Sequence, residues 1–151
     1  MAIEVHYIQP VVKRASKKSA VKGRSIVIID DEKPFVESMA QLVGTSLDCP
    51  VHAFTKPEDA LAVLKEVDPG VIVTDYFMPE IDGFEFINKA SSVAPRAVFI
   101  MITGHDLNPI NDELFRLQSV KSWLQKPIER STLVAAILQA WPGKDAPASR
   151  K

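Results

Sequence analysis

Short apolar runs alternate with stretches of helical periodicity from residue 25 onward. The runs are rich in valine and isoleucine, and the stretches between them place apolar residues three or four positions apart. Continuous apolar runs are typical of strands buried on both faces, whereas the 3.6-residue period is typical of helices with one buried face. The alternation therefore predicts an α/β domain with a doubly wound parallel sheet that helices cover on both faces.

Five strand-and-helix units are expected. The predicted strands are SIVIID at 25–30, PVHAF at 50–54, GVIVTD at 70–75, RAVFIMIT at 96–103 and KSWLQ at 121–125. Two helix starts have the spacing of a capping box, Thr55 with Glu58 and Asp82 with Glu85. The fourth helix is expected between 108 and 117.

Polar side chains collect at the predicted ends of these strands. Asp30 and Asp31 close the first strand, Asp75 closes the third, Thr103 closes the fourth, and Lys126 follows the fifth. In an open doubly wound sheet, ligands bind beyond the carboxyl ends of the strands. We therefore expect carboxylates, a hydroxyl and an amine to line one rim of the sheet.

Such a rim suits a phosphoryl group. Carboxylates that lie about 4–6 Å apart repel one another by a few kcal/mol at an effective dielectric constant near 20, so a cation is expected between them. Mg²⁺ fits because it takes one or two carboxylates and completes its shell with water and phosphate oxygens. Lys126 can neutralise further charge. Asp75 can then act as the nucleophile and form an acyl phosphate.

Charge is distributed unevenly along the chain. The net charge is −1, yet residues 1–25 hold six lysines and arginines against one glutamate. We therefore expect residues 1–24 to form a basic N-terminal extension or linker, residues 25–141 one domain, and residues 142–151 a short C-terminal tail. Within the extension, the alternation around Val5 and Tyr7 suits a short strand on a sheet edge.

The composition also excludes several locations and partners. No apolar stretch approaches the roughly 20 residues that a membrane helix needs, and the N-terminus lacks the pattern of a secretory signal. The single cysteine, Cys49, cannot form an internal disulfide. A cytoplasmic location is predicted. The basic run has no interleaved aromatic residues, so nucleic acid is not expected as a partner.

Four segments together resemble the receiver domain of two-component response regulators. They are IVIIDDE at 26–32, VIVTDYFMPEIDGFE at 71–85, FIMITGH at 99–105 and SWLQKP at 122–127. The resemblance covers residues 25–141 and implies a CheY-like, flavodoxin-like (βα)5 fold with strand order 2-1-3-4-5.

The resemblance implies a role for each matched residue of the acidic site. Asp75 would be the phosphoacceptor. Asp31 would bind Mg²⁺, or Mn²⁺, directly, and Asp30 would bind it mainly through water. The backbone carbonyl of Phe77 would complete the protein ligands.

The resemblance also implies a switch. Thr103 would move its hydroxyl to the phosphoryl oxygens, Lys126 would pair with the phosphate, and Trp123 would reorient with the switch. The Lys126–Pro127 bond would be cis.

Phe77 and His105 occupy the positions that influence phosphoryl lifetime in this family. Phenylalanine cannot hydrogen-bond an attacking water, so we expect slow self-dephosphorylation.

Structural roles compete with these assignments. Asp30 and Asp31 could serve only as acids near the start of a helix. Thr103 could be a plain strand end and Trp123 a packing residue. His105 is interpreted as a loop residue rather than a catalytic one.

The sequence therefore favours a phosphoryl acceptor that is not an enzyme beyond slow self-dephosphorylation. Only about ten residues follow the last predicted helix, so the output is expected to be protein binding through helix four, strand five and helix five. A histidine kinase or a histidine phosphotransfer protein would supply the phosphoryl group, and homodimerisation stays open. Two alternatives remain, an aspartate-nucleophile, Mg-dependent phosphatase and a pseudo-receiver that binds partners without phosphorylation.

Overall fold

Strands and helices alternate along the chain. The structure, a computed structural model, describes residues 24–104 and 117–150 and the backbone of residues 5–7. The strands in these residues are β1 Val5–Tyr7, β2 Ser25–Ile29, β3 Val51–Phe54, β4 Pro69–Asp75, β5 Val98–Thr103 and β6 Val120–Gln125. The helices are α1 Lys33–Ser46, α2 Pro57–Val67, α3 Gly83–Val93 and α4 Arg130–Ala140.

All six strands pair in parallel, in the order β1-β3-β2-β4-β5-β6. The five predicted strands are β2 to β6, and their predicted order 2-1-3-4-5 is confirmed. β1 adds a sixth strand at the edge, where Val5 pairs with Val51 and Tyr7 with Ala53. The short edge strand expected in the N-terminal extension is thus also confirmed.

The core has two layers because the strands bury side chains on both faces. One face packs against α1 and α4 through residues such as Val36, Val43 and Ile137. The other packs against α2 and α3, with Leu64 and Phe86 fully buried. Burying a side chain of this size contributes about 1.5–3 kcal/mol, so these two layers hold the sheet and its rim in place.

The two predicted capping boxes behave differently. Asp82 caps α3 as expected, since its Oδ1 accepts a 2.8 Å hydrogen bond from the amide of Glu85. The prediction of a capping box at Thr55 is wrong. The N-cap of α2 is Lys56, which makes no side-chain cap bond. A residue before proline is pushed toward extended backbone, and Lys56, which precedes Pro57, has φ −126° and ψ 128°.

Part of the predicted fourth unit cannot be compared, because residues 105–116 lie outside the described residues. This range contains nearly all of the helix predicted between 108 and 117. Across the part of the chain that is described, no helix combines the length and apolar character needed to cross a membrane.

The chain after α4 returns to the end of α1. Leu47 and Ser149 form an antiparallel bridge. The amide of Arg150 donates to the Ser46 carbonyl over 2.8 Å, and its Nε donates to the Leu47 carbonyl over 3.1 Å. These bonds satisfy carbonyls that the end of a helix leaves without intrahelical partners.

Candidate functional site

Polar residues lie at the carboxyl ends of β2, β4, β5 and β6, at the same edge of the sheet. Asp30 directly follows β2. Asp75, the last residue of β4, is in register with Ile102, which precedes Thr103 at the end of β5. Thr103 in turn is in register with Gln125, the last residue of β6. The amide of Lys126 donates to the Thr103 carbonyl over 2.8 Å. The rim predicted from the strand ends is present.

Three carboxylates form an acidic cluster at this rim. One oxygen from each of Asp30, Asp31 and Asp75 lies within 4.8 Å of the others. Asp30 is fully buried, Asp75 is 6% exposed, and Asp31 is exposed. Burial, and then the negative charge of Asp30, raise the pKa of Asp75 to about 6 although Lys126 acts against the shift. Asp75 is therefore ionised at neutral pH, at a cost in free energy.

Lys126 joins the two buried acids. Its ammonium donates to Oδ2 of Asp30 over 2.8 Å and to Oδ2 of Asp75 over 3.3 Å. It also lies 3.7 Å from Oε1 of Glu32. Burial lowers the pKa of Lys126, but the bonds and charges of Asp30 and Asp75 outweigh burial and raise it. Lys126 therefore stays charged and offsets part of the repulsion within the acidic cluster.

Backbone amides orient the carboxylates. Oδ1 of Asp30 accepts a 2.8 Å hydrogen bond from the amide of Glu32. Oδ1 of Asp75 accepts a longer one, 3.3 Å, from the amide of Phe77. Asp30 and Asp75 thus each have one oxygen bonded to a backbone amide and the other to Lys126, and these bonds set the orientation of both carboxylates.

The loop after β4 is closed by a short backbone contact. The amide of Gly83 donates to the Tyr76 carbonyl over 2.7 Å. A Cβ at Gly83 would lie 2.9 Å from the Cα of Tyr76 and 3.2 Å from the carbonyl oxygen of Asp75. Glycine is therefore needed for this close approach.

Two aromatic rings follow the central acid. Tyr76 and Phe77 pack edge to face, with ring centroids 4.8 Å apart. Phe77 is 44% exposed, and no other large apolar side chain among the described residues is as exposed. Position 77, which the resemblance associates with phosphoryl lifetime, thus presents an exposed apolar ring two residues after Asp75.

The acidic cluster fits a hard divalent cation. All three side chains offer carboxylate oxygens, the ligands that Mg²⁺ prefers, and exposed Asp31 leaves one side open to water or phosphate oxygens. Among the described residues, Lys126 supplies one positive charge against these three carboxylates. A divalent cation would offset the remaining charge.

The remaining predicted residues lie in different settings. Thr103 is fully buried at the end of β5. Trp123 is in register with Met101 and packs, half-buried, against the core on the α2 and α3 side. The Lys126–Pro127 bond is cis, as the resemblance implied. His105 lies outside the described residues, so its role stays a prediction.

One residue of the site was missed by sequence analysis. The ammonium of Lys126 lies over the ring of Phe35, 4.2 Å from its centroid. Phe35 is in the first turn of α1. Its spacing four positions after Asp31 places it near the rim, but no local pattern indicates a contact with a residue 91 positions away.

Comparisons with known proteins agree with this geometry. Residues 26–138 match the response regulator receiver domain. Transcriptional regulatory protein FixJ of Rhizobium meliloti is 31% identical over 116 residues, which are 77% of this chain and 56% of that protein. Protein PilG of Pseudomonas aeruginosa is 27% identical over 120 residues, 76% of this chain and 85% of that protein. The chain spans about half the length of the FixJ proteins that it matches.

A solved structure supports the fold independently. Chemotaxis protein CheY4 of Vibrio cholerae has a TM-score of 0.70 at 21% identity, covering 78% of this chain and 98% of that one. At this identity the likeness supports the fold alone, whereas the family match spans most of the chain. This chain belongs to the receiver domain family of two-component response regulators.

Proposed function

We propose that this receiver domain accepts a phosphoryl group on Asp75 from a histidine kinase or a histidine phosphotransfer protein. The observation that supports this most is the bridge that Lys126 makes between Asp30 and Asp75. It gathers a nucleophile, a charge-neutralising ammonium and a second acid at one point of the rim. Membership of the family favours a kinase as the phosphodonor.

The proposed step is a transfer between two nucleophiles. An oxygen of the ionised Asp75 carboxylate forms a bond to phosphorus, and the bond from phosphorus to the donor histidine nitrogen breaks. The electron pair of that bond stays on the imidazole. The product is an acyl phosphate on Asp75. Lys126, already hydrogen-bonded to Asp75, can pair with a phosphoryl oxygen.

Asp30, Asp31 and Asp75, with the backbone carbonyl of Phe77, are proposed to hold Mg²⁺, or Mn²⁺ in its place. Receiver domains bind Mg²⁺ at an acidic pocket, and this chain has the matching cluster. The ion would supply positive charge to the phosphoryl oxygens. Asp30 and Asp31 are assigned to metal binding rather than only to the start of α1 because both lie within the cluster around Asp75.

The signal is proposed to leave the site through Thr103 and Trp123. A phosphoryl group on Asp75 adds negative charge beside the end of β5, where the buried Thr103 hydroxyl can move toward it. Trp123 on the neighbouring strand β6 would reorient with that movement. A shift between two pre-existing arrangements would then change the surface formed by the predicted fourth helix, β6 and α4, to which a downstream protein binds.

Phe77 and His105 are proposed to set how long the phosphoryl group survives. The exposed Phe77 ring offers an attacking water no hydrogen-bond partner, so slow loss of phosphate is expected. Aspartate-nucleophile phosphatases need a second acid at this position, two residues after the nucleophile. Because Phe77 cannot act as an acid, we propose that the chain is not a phosphatase.

Incubation with acetyl phosphate and Mg²⁺, followed by intact-mass measurement, tests this function. We expect one phosphate adduct on the wild type and on Asp82→Asn, whose change lies at the cap of α3, and none on Asp75→Asn. Continuous phosphate release with turnover would favour a phosphatase. A wild type without an adduct would favour a pseudo-receiver.

A further inference from the structure

The ring of Phe35 forms part of the immediate surroundings of Lys126. The Nζ of Lys126 is 4.2 Å from the ring centroid, well inside the roughly 6 Å at which an ammonium is attracted by the face of an aromatic ring. Phe35 is half-buried in the first turn of α1 and also packs against the core beside α1 and α4. The ring is thus held by the fold and faces the ammonium.

Among the described residues, the charged neighbours of this ammonium are carboxylates. Asp30 and Asp75 accept its hydrogen bonds at 2.8 and 3.3 Å, and Glu32 lies at 3.7 Å. Asp30 and Asp75 also belong to the acidic cluster that suits a divalent cation. A metal ion would compete with Lys126 for their oxygens. The ring of Phe35 attracts a cation but cannot serve as an oxygen ligand, so this contact does not compete with the metal.

We propose that Phe35 is a positioning residue for Lys126, and that its ring holds the ammonium beside Asp75 while carboxylate oxygens are engaged by a cation. This inference rests on the proposed phosphoacceptor function. It assigns to the first turn of α1 a part in the phosphoryl-transfer step that no sequence pattern indicated. Phe35 acts only through Lys126 and does not contact the reacting atoms.

The local sequence favours a fixed ring at this position. Pro34 lies in the first turn of α1, where its restricted φ matches the helix and its missing N–H costs no hydrogen bond. The neighbouring Val36 is buried in the core and anchors the same turn. A leucine at position 35 would keep most of the apolar contact with the core but would lack the negative face of the ring.

Phosphorylation rates test the role of the ring. With acetyl phosphate and saturating Mg²⁺, Phe35→Leu should be phosphorylated roughly three- to tenfold more slowly than the wild type, and Phe35→Trp should restore the rate. Phe84→Leu is the matched control, since it makes the same change in the first turn of α3, and its rate should be unchanged. In a Lys126→Met background, Phe35→Leu should have no further effect, because the ammonium is gone.

A second measurement does not depend on phosphorylation. By NMR without Mg²⁺, the ε-methylene protons of Lys126 should be shifted upfield by the ring in the wild type and lose that shift in Phe35→Leu. Equal phosphorylation rates for wild type and Phe35→Leu, or an equal loss in the Lys126→Met background, would overturn the positioning role. A wild type without any adduct would overturn the phosphoacceptor function itself, and the positioning role with it.

Discussion

Lys126 donates a 2.8 Å hydrogen bond to Asp30, although 96 positions separate them in the sequence. Asp30 is fully buried, and this bond gives its carboxylate a positive partner away from water. The ammonium that we propose to pair with phosphate therefore also supports the folded state. The same residue links the stability of the site to its chemistry.

The pKa of Asp75 predicts how stability depends on pH. Its value of about 6 lies above the ordinary value of 3.8, so the folded chain binds this proton more tightly than the unfolded chain does. The stability that the folded chain gains from binding this proton is fully present below about pH 4 and is lost as the pH rises through about 6. Asp75→Asn, which has no charge to bury, should raise the free energy of unfolding at pH 7.5 by about 1–3 kcal/mol.

Urea denaturation without divalent cations, at pH 7.5 and pH 4.5, checks this expectation. The advantage of Asp75→Asn should shrink at the lower pH, where the wild-type carboxyl is largely protonated. Asp59→Asn on α2 serves as the control, because it removes a carboxylate outside the acidic cluster. An Asp75→Asn variant that is less stable than the wild type at pH 7.5 would contradict the assignment.

Binding of Mg²⁺ should stabilise the fold. A ligand that binds only the folded state at ten times its Kd adds about 1.4 kcal/mol to the free energy of unfolding. We expect MgCl2 to raise the Tm of the wild type above its value in NaCl of equal ionic strength. Asp31→Asn should lose most of this response and Asp82→Asn should keep it. The same response in all three proteins would show that the acidic cluster does not bind the ion.

Phe77 should determine the phosphoryl lifetime. Phe77→Asn places an amide beside Asp75 that can orient a water, so the acyl phosphate should decay several-fold faster. Phe77→Leu keeps the position apolar and should decay at the wild-type rate. The measurement is the decay of the adduct by intact mass after removal of acetyl phosphate. An unchanged or slower decay in Phe77→Asn would count against this role.

The C-terminal tail should contribute to stability through Arg150. Arg150 donates to the carbonyls of Ser46 and Leu47 and forms a 3.2 Å ion pair with Asp48. Arg150→Ala removes the side-chain bond and the exposed ion pair, so the free energy of unfolding should fall by about 1 kcal/mol. Lys144→Ala, an exposed position in the same tail, is the control. Equal stabilities of the two variants by denaturant unfolding would show that the side-chain contacts of Arg150 add nothing.

The sequence predicted the sheet and the acidic rim because both follow from repeated local patterns. Valine-rich runs predict the strands, and parallel strands bring their carboxyl ends to one edge, so Asp30, Asp75 and Lys126 were expected at the same rim. The order of the strands followed from the family resemblance. The cap at Asp82 was also predictable, since the carboxylate and its amide partner are three residues apart.

The contacts that escaped prediction join distant elements. Lys126 lies over the ring of Phe35 only because α1 and the end of β6 meet in the folded chain. Arg150 reaches the end of α1 only because the tail turns back after α4. The capping box predicted at Thr55 does not form because a proline favours extended backbone at the residue before it. Lys56, which precedes Pro57, is therefore the N-cap of α2.

Chemical trapping of the phosphorylated residue tests the central claim most directly. Borohydride reduces an aspartyl phosphate to homoserine, so peptide mass mapping after acetyl phosphate, Mg²⁺ and borohydride treatment identifies the acceptor. The proposed mechanism predicts homoserine at position 75 in the wild type and at no position in Asp75→Asn. Homoserine at position 30 or 31, or at no position in the wild type, would contradict it.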